Sequence, residues 1–253
     1  MGKLITSSLG LSAVGIASFF FGRSTPAPVE TAQNENKTTF GGVGKPAGGE
    51  LITPSPVQPD GFYKYGFPGP VHDLAKHAEF VTCYDRAKRN PYWVLEHITK
   101  ESIKRSDGVD RKKSIFKEDE TVPVKFRARL RDFFRSGYDR GHNAPAADAK
   151  FTQQAMDETF LLTNMSPQVG DGFNRDYWAH FEDFARRLTT KYDGVRIMTG
   201  PLYLPKLCED GKYRVQYEVI GLPPNVAVPT HFFKLIVGER NGDANIAVGA
   251  FVL

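Results

Sequence analysis

Strand-like and helix-like segments follow one another along this chain without a regular β-α-β alternation, and that irregularity limits its fold more than any other feature. The runs over 80–84 and 92–98 are rich in β-branched and aromatic residues, and the polar stretch 85–91 between them predicts a hairpin. Further strands are predicted over 195–199, 214–220, 231–237 and 246–253. The clearest helix runs over 174–188, where Tyr177, Phe181, Phe184 and Leu188 recur at helical spacing and predict its buried stripe. Thr152 is placed to cap a shorter helix ending near Glu158. Between 125 and 131, lysine and arginines alternate with Phe126, Ala128 and Leu130, a pattern that fits a strand edge or a short helix equally well. Helices interrupting many strands in this way predict an α+β domain on a mixed, mostly antiparallel sheet. With 253 residues, 40% of them hydrophobic, the chain holds enough apolar material for one good core and an appendage.

The appendage is legible at the N-terminus. Residues 4–22 carry no charge and are bracketed by Lys3 and Arg23. As a helix they would span about 28 Å, close to the hydrocarbon thickness of a bilayer. No acidic residue precedes Glu30, which suits an uncleaved mitochondrial signal-anchor. A cleaved secretory signal peptide is the competing reading, although the proline-rich stretch after Arg23 offers no A-x-A site. Gly2 and Thr6 also fit a myristoylation pattern, which the apolar run makes unnecessary. Residues 24–61 are rich in proline, glycine, threonine and asparagine and cannot bury enough surface to offset their ordering entropy. They read as a disordered tether between a membrane anchor over 1–23 and a folded domain over 62–253.

A net charge of +4 permits a polyanionic partner without requiring one. The two cysteines, Cys83 and Cys208, have no C-x-x-C spacing, and the six histidines form no zinc-helix pair. Buried free thiols are expected, and a zinc site is not.

The reactive groups are concentrated in Asp139-Arg140-Gly141-His142 and in the polar residues Asn174, Glu182 and Arg186 of the long helix. Cutting a phosphodiester needs an activated water, a neutraliser for the non-bridging oxygens and help for the departing alkoxide. Histidine suits the first task because its ordinary pKa lies near neutrality. On a strand, Arg140 and His142 face one side and can address one phosphate, while Gly141 between them lets a phosphate approach the backbone. On a helix, Glu182 lies about 80° and Arg186 about 120° from Asn174, so all three reach one side. The carbonyl oxygen of Asn174 is an acceptable magnesium ligand, Glu182 can hold a water of the ion's shell, and Arg186 can pair with the phosphate in the transition state. The bland alternative is an i,i+4 salt bridge between Glu182 and Arg186 on a wet helix face.

Together with their neighbours these residues resemble the DNA/RNA non-specific endonuclease family, most of all its mitochondrial endonuclease G branch. The likeness is carried by GYDRGHNAPAAD over 137–148, LTNMSPQ over 162–168 and FNRDYW over 173–178 continuing to Glu182, with 69–97 and 226–234 in support. It covers essentially all of 62–253. The resemblance implies a ββα-metal site with His142 as general base, Asn174 as the only direct protein ligand of Mg2+ (Mn2+ substituting) and Glu182 behind the metal. It implies that Arg140 and Arg186 contact the phosphate, that Asn164 positions substrate or His142, and that an upstream arginine, Arg111 or else Arg105, joins them. It further implies DNA and RNA substrates, single- and double-stranded, products with 5′-phosphate and 3′-hydroxyl ends, a homodimer, and a mitochondrial inner-membrane anchor holding the nuclease domain in the intermembrane space. Family members continue past the equivalent of Ala250-Phe251-Val252-Leu253, so the expected domain is one truncated at its C-terminus.

The basic residues also admit a membrane-tethered nucleic-acid-binding protein that does not cut, holding phosphates through 104–113 and the arginines of 127–131. A secreted nuclease is a third reading.

Overall fold

The computed structural model describes residues 73–241 and 246–253. The expected anchor, the tether and the first residues of the domain lie outside them. Strands β1 (Leu74–Lys76), β2 (Phe80–Asp85) and β3 (Asn90–Ile98) open the fold, followed by a short helix α1 (Leu130–Phe133) and strand β4 (Asp139–His142). Helix α2 (Gln153–Glu158), strand β5 (Met165–Gln168) and helix α3 (Trp178–Arg187) come next. Strand β6 (Gly194–Leu202), the small pairs β7 (Lys206–Leu207) with β8 (Tyr213–Arg214) and β9 (Val219–Ile220) with β10 (Val226–Ala227), then β11 (His231–Glu239) and β12 (Ala247–Val252) complete it.

The main sheet runs β1-β2-β3-β6-β11-β12, and every neighbouring pair in it is antiparallel. The predicted hairpin forms because Asp85 turns the chain, its Oδ1 accepting from the backbone N–H of Ala87 (2.8 Å) and Lys88 (3.2 Å). Strand alternation then sorts the side chains onto two faces. Val81, Cys83, Trp93 and Leu95 form one apolar cluster. On the opposite face Ile98, Val195, Ile197 and Ile236 receive Phe181 and Ala185 of α3 and Leu188 just after it, and Phe80 with Val94 receives Ala144 from the segment after β4. Strands β3 and β6 pair directly, Ile98 opposite Val195. The excursion between them carries β4, β5 and α3, and α3 and the segment after β4 fold onto that second face.

Several local expectations are corrected. The helix over 174–188 begins as a wide turn, Gly170–Tyr177, broken at Asp171 and Gly172, where Gly172 takes φ +79°; regular helix covers only α3. Its buried stripe is Trp178, Phe181, Ala185 and Leu188, whereas Tyr177 is 50% and Phe184 41% exposed. Because the turn before α3 is wide, Tyr177 is rotated off the sheet-facing side. Residues 214–220 are not one strand: β8 and β9 hold only their ends. Residues 125–131 are neither alternative in full, since a tight turn at Val124–Phe126 is followed by extended backbone and then α1. Thr152 does cap α2, its hydroxyl accepting from the N–H of Ala155 at 3.0 Å. Cys83 is buried and Cys208 is partly exposed, and neither is in a disulfide. Among the described residues no helix is long and apolar enough to cross a membrane.

Candidate active site

Strand β4 pairs antiparallel with β5, setting Arg140 opposite Pro167 and His142 opposite Met165. Alternation turns Arg140 and His142 to the same side, and one ring touches both: the Arg140 guanidinium lies 4.3 Å and the His142 ring 5.8 Å from the centre of Phe116. Phe160 meets His142 edge-on at 4.9 Å. This aromatic box leaves His142 only 9% exposed, with Nε2 lacking any hydrogen-bond partner among the described residues. Burial, then the nearby Arg111 charge, pulls its pKa down to about 3, so the ring is neutral across the physiological range. Gly141 is required by packing, since a Cβ there would collide with the side chain of Gln168 on β5.

Arg111 is fixed by its own turn. Asp110 caps Arg111–Lys113 by accepting from Lys112 N–H at 2.9 Å, and Gln153 of α2 accepts from the Asp110 N–H at 2.8 Å. The Arg111 guanidinium stacks 5.4 Å from the Phe160 ring centre, beside His142. Arg105 instead spends Nε and Nη2 on the carbonyl of Val109, at 2.9 and 2.6 Å. The upstream arginine that joins the site is therefore Arg111.

Asn174 enters from the wide turn before α3. Its Nδ2 donates to Asp139 Oδ2 at 2.8 Å, which ties the turn to the strand that carries His142. Arg175 grips the same carboxylate from Nε (2.8 Å) and Nη2 (2.6 Å), and this pairing, foremost, holds the Asp139 pKa below its ordinary value. An ionised carboxylate only accepts. It must face the amide nitrogen, so the Asn174 carbonyl oxygen is turned away from Asp139 and accepts no hydrogen bond among the described residues. A free, oriented amide oxygen suits a hard cation such as magnesium. No cluster of three His, Cys, Asp or Glu side chains among the described residues is placed to hold a metal, so an ion at Asn174 would keep most of its coordination for water and phosphate. The residues present fit that group.

Glu182 and Arg186 do not form the i,i+4 salt bridge. Arg186 donates from Nη1 to Asp148 Oδ1 at 2.9 Å, with the two side chains 15% and 1% exposed. Glu182 sits among charges of both signs: burial raises its pKa to about 7, against the pull of Lys234, Arg186 and Arg111. Lys234 itself is buried on β11, donating to Thr199 Oγ1 at 2.7 Å and lying 4.7 Å from the Trp178 ring centre. Behind it Glu79 and Glu96 are fully buried, and burial drives both carboxyls well above the ordinary range. Removing one partner of a buried ion pair strands the other charge. Asp148→Ala is accordingly expected to destabilise the fold by about 3–5 kcal/mol, read as a lowered denaturation midpoint; an unchanged midpoint would show that Arg186 does not depend on Asp148.

Asn164 is fully buried, and its amide is spent on backbone: Oδ1 accepts from Ala144 N–H (2.9 Å), and Nδ2 donates to the carbonyls of Ala144 (2.9 Å) and Thr159 (2.8 Å). It fixes the segment that follows His142 and has no atom left to meet substrate, so of the two roles expected for it only the positioning of His142 has a structural basis. Of the arginines of 127–131, two are turned onto backbone and only Arg131 is left without such a bond among the described residues. Arg127 donates to the carbonyls of Val122 and Glu120, and Arg129 to that of Val124.

The structure thus brings Arg140, His142, Arg111 and Asn174 around β4 and sets Glu182 and Arg186 on α3 beside them. Three positioning groups escape local sequence reasoning: Asp139, Asp148 and Lys234. Asp139 and Asp148 lie inside the motif over 137–148, and an acidic residue beside Arg140 was the available signal for Asp139, whereas Asp148 stands between alanines and carried none. Lys234 carried none, since an isolated lysine in an apolar strand reads as an outward-facing residue.

Residues 58–253 match the family model described as DNA/RNA non-specific endonuclease. The mitochondrial nuclease of Saccharomyces cerevisiae is 67% identical over 202 residues, which cover 78% of this chain and 61% of that protein. Human mitochondrial endonuclease G is 45% identical over 179 residues, covering 71% of this chain and 59% of the relative. The fold matches EndoG in the crystal structure of its complex with EndoGI, which concerns EndoG inhibition, with a TM-score of 0.75 and 50% identity over 79% of this chain and 81% of that one. The chain spans about three fifths of the length of the yeast and human relatives.

Proposed function

The chain belongs to the DNA/RNA non-specific endonuclease family and has its ββα-metal fold, and from that premise we propose that it hydrolyses phosphodiester bonds of DNA and RNA, with magnesium at Asn174 and His142 as general base. The observation that carries this reading is the Asn174–Asp139 bond, which joins the amide oxygen to the strand of the histidine. A bound cation supplies charge neutralisation at the phosphate and at the departing oxygen. Asp139 orients the amide that holds it.

The neutral His142 ring takes the proton of the attacking water, and its basicity rises when substrate arrives, because the phosphate charge offsets Arg111 and Arg140. Arg140 and Arg186 meet the charge that grows on the non-bridging oxygens, and Glu182, when ionised, would hold water beside a bound cation. The bond to the 3′ oxygen breaks, leaving that oxygen to take up a proton and the phosphate on the 5′ side. Digestion of both DNA and RNA by the full chain should depend on magnesium, stop with a chelator and yield ends that polynucleotide kinase labels only after phosphatase treatment. Chelator-resistant cleavage would overturn the metal assignment.

The naming of relatives as mitochondrial supports a mitochondrial location. Within it we place residues 1–23 as an inner-membrane anchor, 24–61 as tether and 62–253 as a nuclease domain in the intermembrane space, acting as a homodimer.

A further inference from the structure

Beside Arg140 the surface opens into a groove of about 850 Å³ that none of the roles above uses. One end is formed by Asp139, Arg140 and Phe116 of the site itself, and the other by α1 and the residues after it. Its rim carries two exposed apolar side chains, Phe134 at 72% and Ile115 at 63%. Large apolar side chains so exposed, grouped on one concavity, mark a ligand surface more often than a solvated one. Three arginines share the groove, Arg131, Arg135 and Arg140, and none of them bonds a carboxylate among the described residues. Arg135 lies over the Phe134 ring at 5.1 Å. Its φ of +54° places a non-glycine residue in the left-handed region, a conformation that persists only where its surroundings dictate it.

A flat apolar ring flanked by guanidinium groups is the combination that binds single-stranded nucleic acid, stacking a base while cations hold the backbone. Bases of a duplex are already stacked on one another and reach such a platform only by being extruded. Resting on the nuclease reading, we propose that this groove seats unpaired bases of the substrate strand next to the scissile phosphate. Phe134 is the stacking platform, and Arg131 and Arg135 hold the adjoining phosphates. The consequence is a preference for single-stranded or unpaired nucleic acid over intact duplex.

The test is binding to the full chain carrying His142→Ala, so that the probes survive. The probes are a labelled single-stranded oligothymidine and a hairpin duplex of equal charge. Phe134→Ala is expected to weaken oligothymidine binding about tenfold or more and duplex binding less than about twofold, with Phe134→Trp restoring the first. Arg135→Ala should lower the salt dependence of single-strand binding by about one counterion. Equal weakening on both probes, no weakening on either, or a parent that binds duplex more tightly than the single strand overturns the assignment. Because the readout is binding, a chain that passes it yet cuts nothing refutes the nuclease reading alone.

Discussion

His142→Ala is expected to lower kcat on DNA and RNA by about 10²–10⁴-fold while KM changes little, because the ring acts on the attacking water and does not hold the polymer. Two buried titrations of opposite sign accompany that loss. His142 titrates near 6.5 when unperturbed and near 3 in the fold, so between those values the unfolded chain binds the extra proton. Its contribution to stability is therefore present above about 6.5 and lost as pH falls toward 3. Glu182 is raised from 4.5 to about 7, so there the folded chain binds the extra proton, and the contribution is complete below 4.5 and lost as pH rises through 7. In the proposed mechanism both groups act deprotonated, and Glu182 is the first to be protonated on acidification. The acidic limb of kcat/KM should follow Glu182, with a midpoint at or below about 7 because a bound cation favours the ionised carboxylate. Glu182→Gln should remove that limb from the residual activity; a limb that survives unchanged in Glu182→Gln assigns it to another group.

Asn174→Ala is expected to abolish magnesium-dependent cleavage, by at least about 100-fold, and to weaken Mn2+ binding to the metal-free protein by a similar factor. Asp139→Asn is the companion variant. It leaves the amide oxygen of Asn174 in place but removes the acceptor-only partner that orients it and the two bonds from Arg175. Loss of such an orienting group costs about 10–100-fold in metal affinity or activity, and raised cation concentration should recover part of it in Asp139→Asn but not in Asn174→Ala. Calorimetric titration with Mn2+ separates the two outcomes from a general loss of fold. Metal affinity unchanged in Asn174→Ala would move the cation elsewhere.

Much of this architecture could be read from residue order. The hairpin β2–β3 was legible because β-branched and aromatic runs flank a polar turn opening with an Asp, and α2 because Thr152 offers a capping hydroxyl. The stripe of α3 was misread because periodicity assumes a constant rotation per residue, whereas the wide turn through Asn174 changes it just where the helix begins. The strand expected over 214–220 failed because its residues are mostly exposed, so no burial enforced pairing. In the site, His142 and Arg140 declared themselves through a compact motif. The partner of Arg186 did not: Asp148 lies 38 residues away in sequence and meets it only through tertiary packing. For Asn164 the resemblance implied positioning of substrate or of His142, and its side-chain amide is bonded to backbone.

The excursion between β3 and β6 has a kinetic meaning. Ile98 meets Val195 only after nearly the whole reactive apparatus has been looped out and gathered between them, and such long-range closure is slow and comes with the global folding event. A chain whose sheet is incomplete therefore lacks the assembled arrangement of Arg140, His142 and Asn174. The arrangement of β4, β5 and α3 should appear in one step with completion of the sheet.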